Sequence, residues 1–201
     1  YLLRTYNCIN LLKNELKTYF IHYRPFLIFL IKFFLTYIGL TVLYQLYLNQ
    51  FESLIHFQVD NFTQLVAKQV NETLLYFNYD SSIELHDKEA SVKLFLENVY
   101  VARVVEGCNA LSVIILFIAF VVAFSGRWLH TLLFILFGSI TIHVLNVLRI
   151  ALLAIALLRY PEQEHVLHGV VFPLFIYGVV FGLWVIWVNT FSLHAKKDSK
   201  K

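Results

Sequence analysis

Three kinds of side chain that acyl-transfer chemistry requires stand far apart in this chain, each at or inside an apolar run. Cys108 sits in Arg103-Val-Val-Glu106-Gly-Cys108-Asn109, where a polar stretch turns into an apolar one. Arg149 lies within a long apolar run, one helical turn after Asn146, and His165 and His168 occupy the polar loop Tyr160-Pro161-Glu162-Gln163-Glu164-His165 and the start of the last apolar run. A thiol nucleophile needs a base within reach to form the thiolate and later to protonate a leaving amine. It also needs a fixed positive charge or N–H donors where an oxyanion develops. Each residue has an ordinary reading as well. A lone Cys packs as a small hydrophobe, an Arg in a span snorkels to headgroups, and loop histidines are solvated. A zinc site from His165, His168, Glu162, Glu164 and Cys108 is a weaker alternative without a paired-ligand motif. No metal and no cofactor is therefore assigned.

The elements that must position these groups are membrane spans. Of 201 residues, 59% are hydrophobic and 14% charged, and the mean hydropathy is +0.69. Soluble domains carry about 45–50% apolar and about 25% charged residues. The excess is gathered in long runs, which excludes an ordinary globular enzyme, a disordered chain and a disulfide scaffold. The net charge of +3 is small and concentrated at the ends, so nucleic acid is not an expected partner. With no Met and Tyr1 first, the initiator is absent, and the sequence leaves open whether residues 1–15 belong to the native chain.

A span needs about 20 apolar residues. The reading is an all-α integral membrane protein with four spans: 25–48, opening on Pro25 in its first turn, then 107–125, a long or broken 128–158, and 169–189. Segment 1–24 is cytoplasmic or interfacial, 49–106 is an outer segment, 159–168 an outer loop and 190–201 a basic cytoplasmic tail. The first run is too long for a signal peptide and lacks a small-residue cleavage site. Arg4, Lys13, Lys17 and Arg24 precede the first span and Lys196, Lys197, Lys200 and Lys201 follow the last, so both ends face inward. The outer segment carries nine of the thirteen acidic residues. Trp128, Trp184 and Trp187 are expected in the inner aromatic belt and Tyr44, Tyr47, Tyr100 and Tyr160 in the outer one.

Within the outer segment, Phe62, Leu65, Val66, Gln69, Val70, Thr73 and Leu74 share one face of an amphipathic helix over 60–77. Ile83 to Leu85 and Ser91 to Leu96, with a polar turn between them, form a candidate hairpin. In the third span Ser139, His143, Asn146 and Arg149 recur at steps of four, three and three, a polar stripe in a setting where ionisable groups are costly and mark function. The same stripe also reads as an interhelical hydrogen-bond seam. This topology brings Cys108, Arg149 and His165/His168 to one membrane face.

At Glu106-Gly-Cys108-Asn109-Ala110, Asn146-Val-Leu-Arg149-Ile150 and His168-Gly169-Val-Val-Phe172 the chain resembles the exosortase/archaeosortase family of integral membrane cysteine transpeptidases. The order, spacing and membrane setting of Cys, Arg and His match over roughly residues 20 to 192. The stretches at Arg24-Pro-Phe-Leu-Ile-Phe-Leu and Ile176-Tyr-Gly-Val-Val-Phe-Gly-Leu-Trp are most similar to the exosortase F branch of Bacteroidetes-type bacteria. Many family members carry Cys-Ser-Gly or Cys-Ala-Gly where this chain has Cys108-Asn109-Ala110. The chain is also shorter than the eight-span exosortases, so the work of the extra spans is missing or falls to an accessory membrane protein.

The resemblance implies a membrane cysteine peptidase or transpeptidase that cleaves a C-terminal sorting signal of secreted proteins (a short motif, a transmembrane helix and a basic tail) through a Cys thioester. It then transfers the chain to an acceptor. It implies Cys108 as nucleophile, His168 as general acid and base, and Arg149 as oxyanion or thiolate stabiliser. Asn146 would orient Arg149 or bind substrate, and Glu106 would hold Arg149 or His168 or cap the helix. The implied setting is a multi-pass protein of the bacterial cytoplasmic (inner) membrane with its site facing the periplasm. Its implied partners are the sorted proteins and membrane lipid. Gly178-Val-Val-Phe-Gly182 is a small-xxx-small pair that admits a close helix, either a substrate anchor or one of the chain's own spans. Two other classes compete. A scaffold or accessory subunit would not need Cys108, and a small transporter lined by Ser139, His143, Asn146 and Arg149 would track His143 protonation.

Overall fold

The computed structural model describes the backbone of residues 2–51, 58–124 and 126–191, and side chains from residue 22 to residue 190 within those ranges. The basic tail at Lys196, Lys197, Lys200 and Lys201 and the side chains of Arg4, Cys8, Lys13 and Lys17 lie outside the described residues. Three helices are long and apolar enough to cross a membrane, His22–Leu48, Trp128–Arg159 and Pro161–Thr190, and a fourth apolar helix, Leu111–Ala123, is shorter. The protein is a mostly helical, multi-pass membrane protein.

Helix α1 runs Leu2–Leu48 with Pro25 inside it, so Pro25 does not open the helix as expected. Proline removes one N–H and crowds the carbonyl four residues earlier, at a cost of about 3 kcal/mol in a helix interior. The turns on either side retain their own hydrogen-bond ladders, and the helix carries through. Helix α3, Leu111–Ala123, lies against α1, where Phe124 and Phe120 meet the Phe29 ring with centroids 4.6 and 6.0 Å away. At 1.5 Å per residue its thirteen residues reach only about 20 Å, short of a hydrocarbon core of about 30 Å.

Helix α4, Trp128–Arg159, is one unbroken helix of 32 residues, about 48 Å long. Two apolar cores divide it. Its first half packs Phe134 and Ile142 with Phe117 and Val121 of α3 and with Val180, Leu183 and Trp187 at the C-terminal end. Its second half packs Val147, Ile150, Ala151 and Ala154 against the outer segment. Gly138 permits the first contact, because a Cβ there would come within 2.2 Å of the Phe117 ring. Trp187 is fully buried, 4.9 Å from the Phe134 ring, and Trp184 stacks on Phe120 at 4.2 Å. Both indoles therefore pack against neighbouring helices. The Trp187 ring fills the space beside Gly126 and the Phe117 ring that beside Gly138, whereas Trp128 is exposed.

Residues 58–105, within the segment read as outer, fold as a helix on a sheet. Asp60 caps α2, Asn61–Tyr76, by accepting from the Phe62 and Thr63 N–H groups at 3.0 and 2.9 Å, a cap worth about 1 kcal/mol. The sheet is antiparallel in the order β1 (Ser81–Leu85), β2 (Ser91–Leu96), β3 (Val99–Val105). Glu97 and Asn98 both have positive φ in the two-residue loop between β2 and β3, as the primed hairpin turns require. The Lys93 ammonium at 3.1 Å holds the Asp87 carboxyl below its ordinary range in the exposed β1–β2 turn. Val66, Val70 and Leu74 of α2, Val92, Leu94 and Leu96 of β2 and Val104 of β3 close the core onto α4.

The chain then passes through a short 3-10 turn at Pro161–Gln163 and a single helical turn α5, Glu164–Val166. A π-helical turn, Leu167–Val171, leads into α6, Phe172–Ile186, and the span ends in a second π-helical turn, Trp187–Phe191.

Candidate functional site

The sheet leads directly into the thiol. After β3 a 3-10 turn, Glu106–Cys108, delivers half-buried Cys108, and Ala110 takes a left-handed conformation (φ 63°) before α3 begins. An L residue there costs about 1–2 kcal/mol relative to the right-handed region. It is also the position where the resemblance sets Gly, which adopts that conformation freely.

Asn109 organises this turn. Its side chain is buried, its Oδ1 accepts the Leu111 N–H at 2.9 Å, and its Nδ2 donates to Thr63 Oγ1 at 3.1 Å and to the Tyr44 hydroxyl at 3.2 Å. The Tyr44 hydroxyl in turn donates to Glu106 Oε1 at 2.5 Å. One network thus ties α1, α2 and the Cys108 turn together. Glu106 accepts from Tyr44 rather than from Arg149 or His168, and the cap on α3 comes from Asn109.

The second anchor is on α4. Asn146 is fully buried and donates to the carbonyl oxygen of Cys108 at 2.7 Å, while its own Oδ1 accepts from Arg149 Nη1 at 3.4 Å. A buried amide that meets both demands fixes the Cys108 backbone and the guanidinium relative to each other. Arg149 Nε is buried without a partner among the described residues. Elsewhere on the polar stripe, His143 Nε2 lies 2.8 Å from Gln69 Oε1 and its ring faces Phe62. That part of the stripe is a seam to α2.

Cys108, Arg149, His165 and His168 line one cavity of about 640 Å³, together with Val101 to Val104 of β3, Ile150, Leu153 and Leu157 of α4, and Pro161, Glu162, Glu164 and Gly169. Both histidines are exposed on its rim. Among the described residues no group of three or more His, Cys, Asp or Glu side chains is arranged to hold a metal ion. What the arrangement offers is a thiol, a cation with an unused donor, and imidazoles around one space. Residues 23–189 match the transmembrane exosortase family. The chain belongs to that family. No curated protein and no solved structure matches it. Family membership makes the exosortase a membrane enzyme of protein sorting at the general level, and the family's chemistry suggests a cysteine transpeptidase.

Sequence reasoning missed three contributors. Tyr44 was expected in an aromatic belt, and nothing in a single sequence pairs it with a glutamate 62 residues away. Thr63 read only as part of the amphipathic helix. Strand β3 went unassigned, although Val99-Tyr-Val-Ala-Arg-Val-Val is rich in β-branched residues and follows Glu97-Asn98, which is a legible strand signal.

Proposed function

We propose that this exosortase cleaves the C-terminal sorting signal of secreted proteins through a thioester on Cys108 and passes the acyl chain to an acceptor amine. The observation that carries the reading is the single cavity shared by Cys108, Arg149 and His168. In the forward step His168 takes the thiol proton, the sulfur attacks the peptide carbonyl, and the developing oxyanion meets Arg149. His168 then returns the proton to the leaving amine as the C–N bond breaks. An acceptor amine attacks the thioester, His168 takes its proton, and the Cys108 thiolate leaves. Asn146 positions Arg149 and the Cys108 carbonyl, and Glu106 supports the turn through Tyr44.

The topology proposed with this reading has four crossings, with residues 107–125 as the second, both ends cytoplasmic and the cavity on the periplasmic face of a bacterial inner membrane. The acidic balance of residues 49–106 and the basic flanks support it. Likeness to the exosortase F branch belongs to the same reading, as does an accessory membrane protein.

Co-expression with C-terminally anchored secreted proteins tests it. Cys108→Ala is expected to abolish processing, Arg149→Ala to slow it by about 10²–10³ and His168→Ala by about 10²–10⁴, whereas His165→Ala retains it. Unchanged processing by Cys108→Ala would hand the protein to the scaffold reading.

A further inference from the structure

Strand β3 is an edge strand, because the sheet order is β1-β2-β3 and only β2 pairs with it. Among the described residues its outer edge makes no backbone hydrogen bond to another element. Natural sheets cover, charge or shorten such edges, since a row of unpaired N–H and C=O groups recruits another strand. Here, among the described residues, no second strand pairs with the edge, and it lies beside the site. Val101 to Val104 form one wall of the cavity that holds Cys108, and the strand runs straight into the Cys108 turn. The floor opposite is apolar, made by Ile150, Leu153 and Leu157 of α4.

We infer that β3 is the substrate-docking edge. An extended peptide adds to Val101–Val104 as a fourth strand, and its reacting carbonyl is carried to Cys108 at the strand's end. The inference rests on the proposed peptidase reading for the identity of the occupant. Four residues of strand span about 13 Å. Main-chain hydrogen bonds to the edge supply affinity without regard to sequence, and alternate side chains supply specificity. Those on one face of the added strand meet the α4 floor, so the peptide taken is extended and apolar at every second position, while the intervening positions face away from that floor.

The probe is a set of synthetic ten-residue peptides covering the stretch before the C-terminal anchors of secreted proteins from the source genome. Binding is measured to the full chain in lipid nanodiscs, with Cys108→Ala so that no peptide is consumed. The tightest binder is then N-methylated at one backbone nitrogen at a time, which removes a donor and leaves every side chain in place. The expected result is a loss of about tenfold or more at alternate positions, with the intervening positions little changed. A flat profile overturns strand addition, and so does the absence of any bound peptide. Cleavage of the same unmodified peptide by wild type but not by Cys108→Ala is scored separately. The peptidase reading can therefore fail while the binding pattern stands, or stand while the pattern fails.

Discussion

The two apolar cores share α4 but are held in different ways. In the membrane-helix core, large rings fill the space beside small residues: Phe117 lies over Gly138, Trp187 over Gly126, and Trp184 stacks on Phe120. In the outer core, aliphatic side chains of α2, β2 and α4 fill the centre, and hydrogen bonds fix the border. Asp60 caps α2, the Ser81 hydroxyl donates to Asn71 Oδ1 at 2.6 Å, and Gln69 meets His143. Hydrophobic burial from water drives the second kind of core. In a bilayer the neighbouring lipid is as apolar as the helices, so close packing does more of the work. Cys108 sits between the two, with Asn109 tying its turn to α1 and α2 and Asn146 tying it to α4. Cys108 and Arg149 thus stand where the outer core meets the membrane helices, with Cys108 packed against that core's edge.

Substitutions that strike one core at a time sharpen this contrast. Leu74→Ala is expected to cost about 2–5 kcal/mol. It should open the outer segment to limited proteolysis while the helices keep their detergent-stable core. Gly138→Ala forces a methyl into the Phe117 ring and is expected to cost about 1–3 kcal/mol, lowering the melting temperature in detergent with the outer segment still protease-resistant. If either variant melts both regions together, the cores are one cooperative unit and the contrast fails. Asn146→Ala strikes the junction. It leaves the Cys108 carbonyl unpaired at a cost of about 1–3 kcal/mol, and processing is expected to fall well beyond what the change in melting temperature explains. Tyr44→Phe removes the donor to Glu106 and is expected to cost about 1 kcal/mol, read as a small loss of thermal stability with a slower reaction. The smallest effect has the opposite sign. Ala110→Gly relieves the left-handed backbone, offset in part by the freer unfolded chain, and is expected to leave stability equal or higher by about 1 kcal/mol.

How much of this was legible in the sequence follows from the same division. The amphipathic helix read from Phe62, Val66, Val70 and Leu74 corresponds to α2, because its period is written in residues that bury one face. Hydropathy located the long spans for the same reason. The long run at 128–158 was ambiguous because α4 serves two apolar partners in succession, and hydropathy cannot distinguish lipid from protein. The helix through Pro25 was missed because a proline that opens a helix and one that is carried inside it look alike locally. At the site, the residue types and their order were readable, and so was the placement of Asn146 one turn before Arg149. That Asn146 reaches the Cys108 carbonyl, that Glu106 answers to Tyr44, and that β3 walls the cavity are long-range pairings that no local pattern encodes.

The most direct test of the central claim is intact-protein mass spectrometry of the purified protein after brief exposure to a processed substrate. The account predicts an acyl adduct on wild type, released by hydroxylamine as a thioester and mapped to Cys108, with none on Cys108→Ala. Processing at the wild-type rate by Cys108→Ala, or an adduct that maps to another residue, would contradict it.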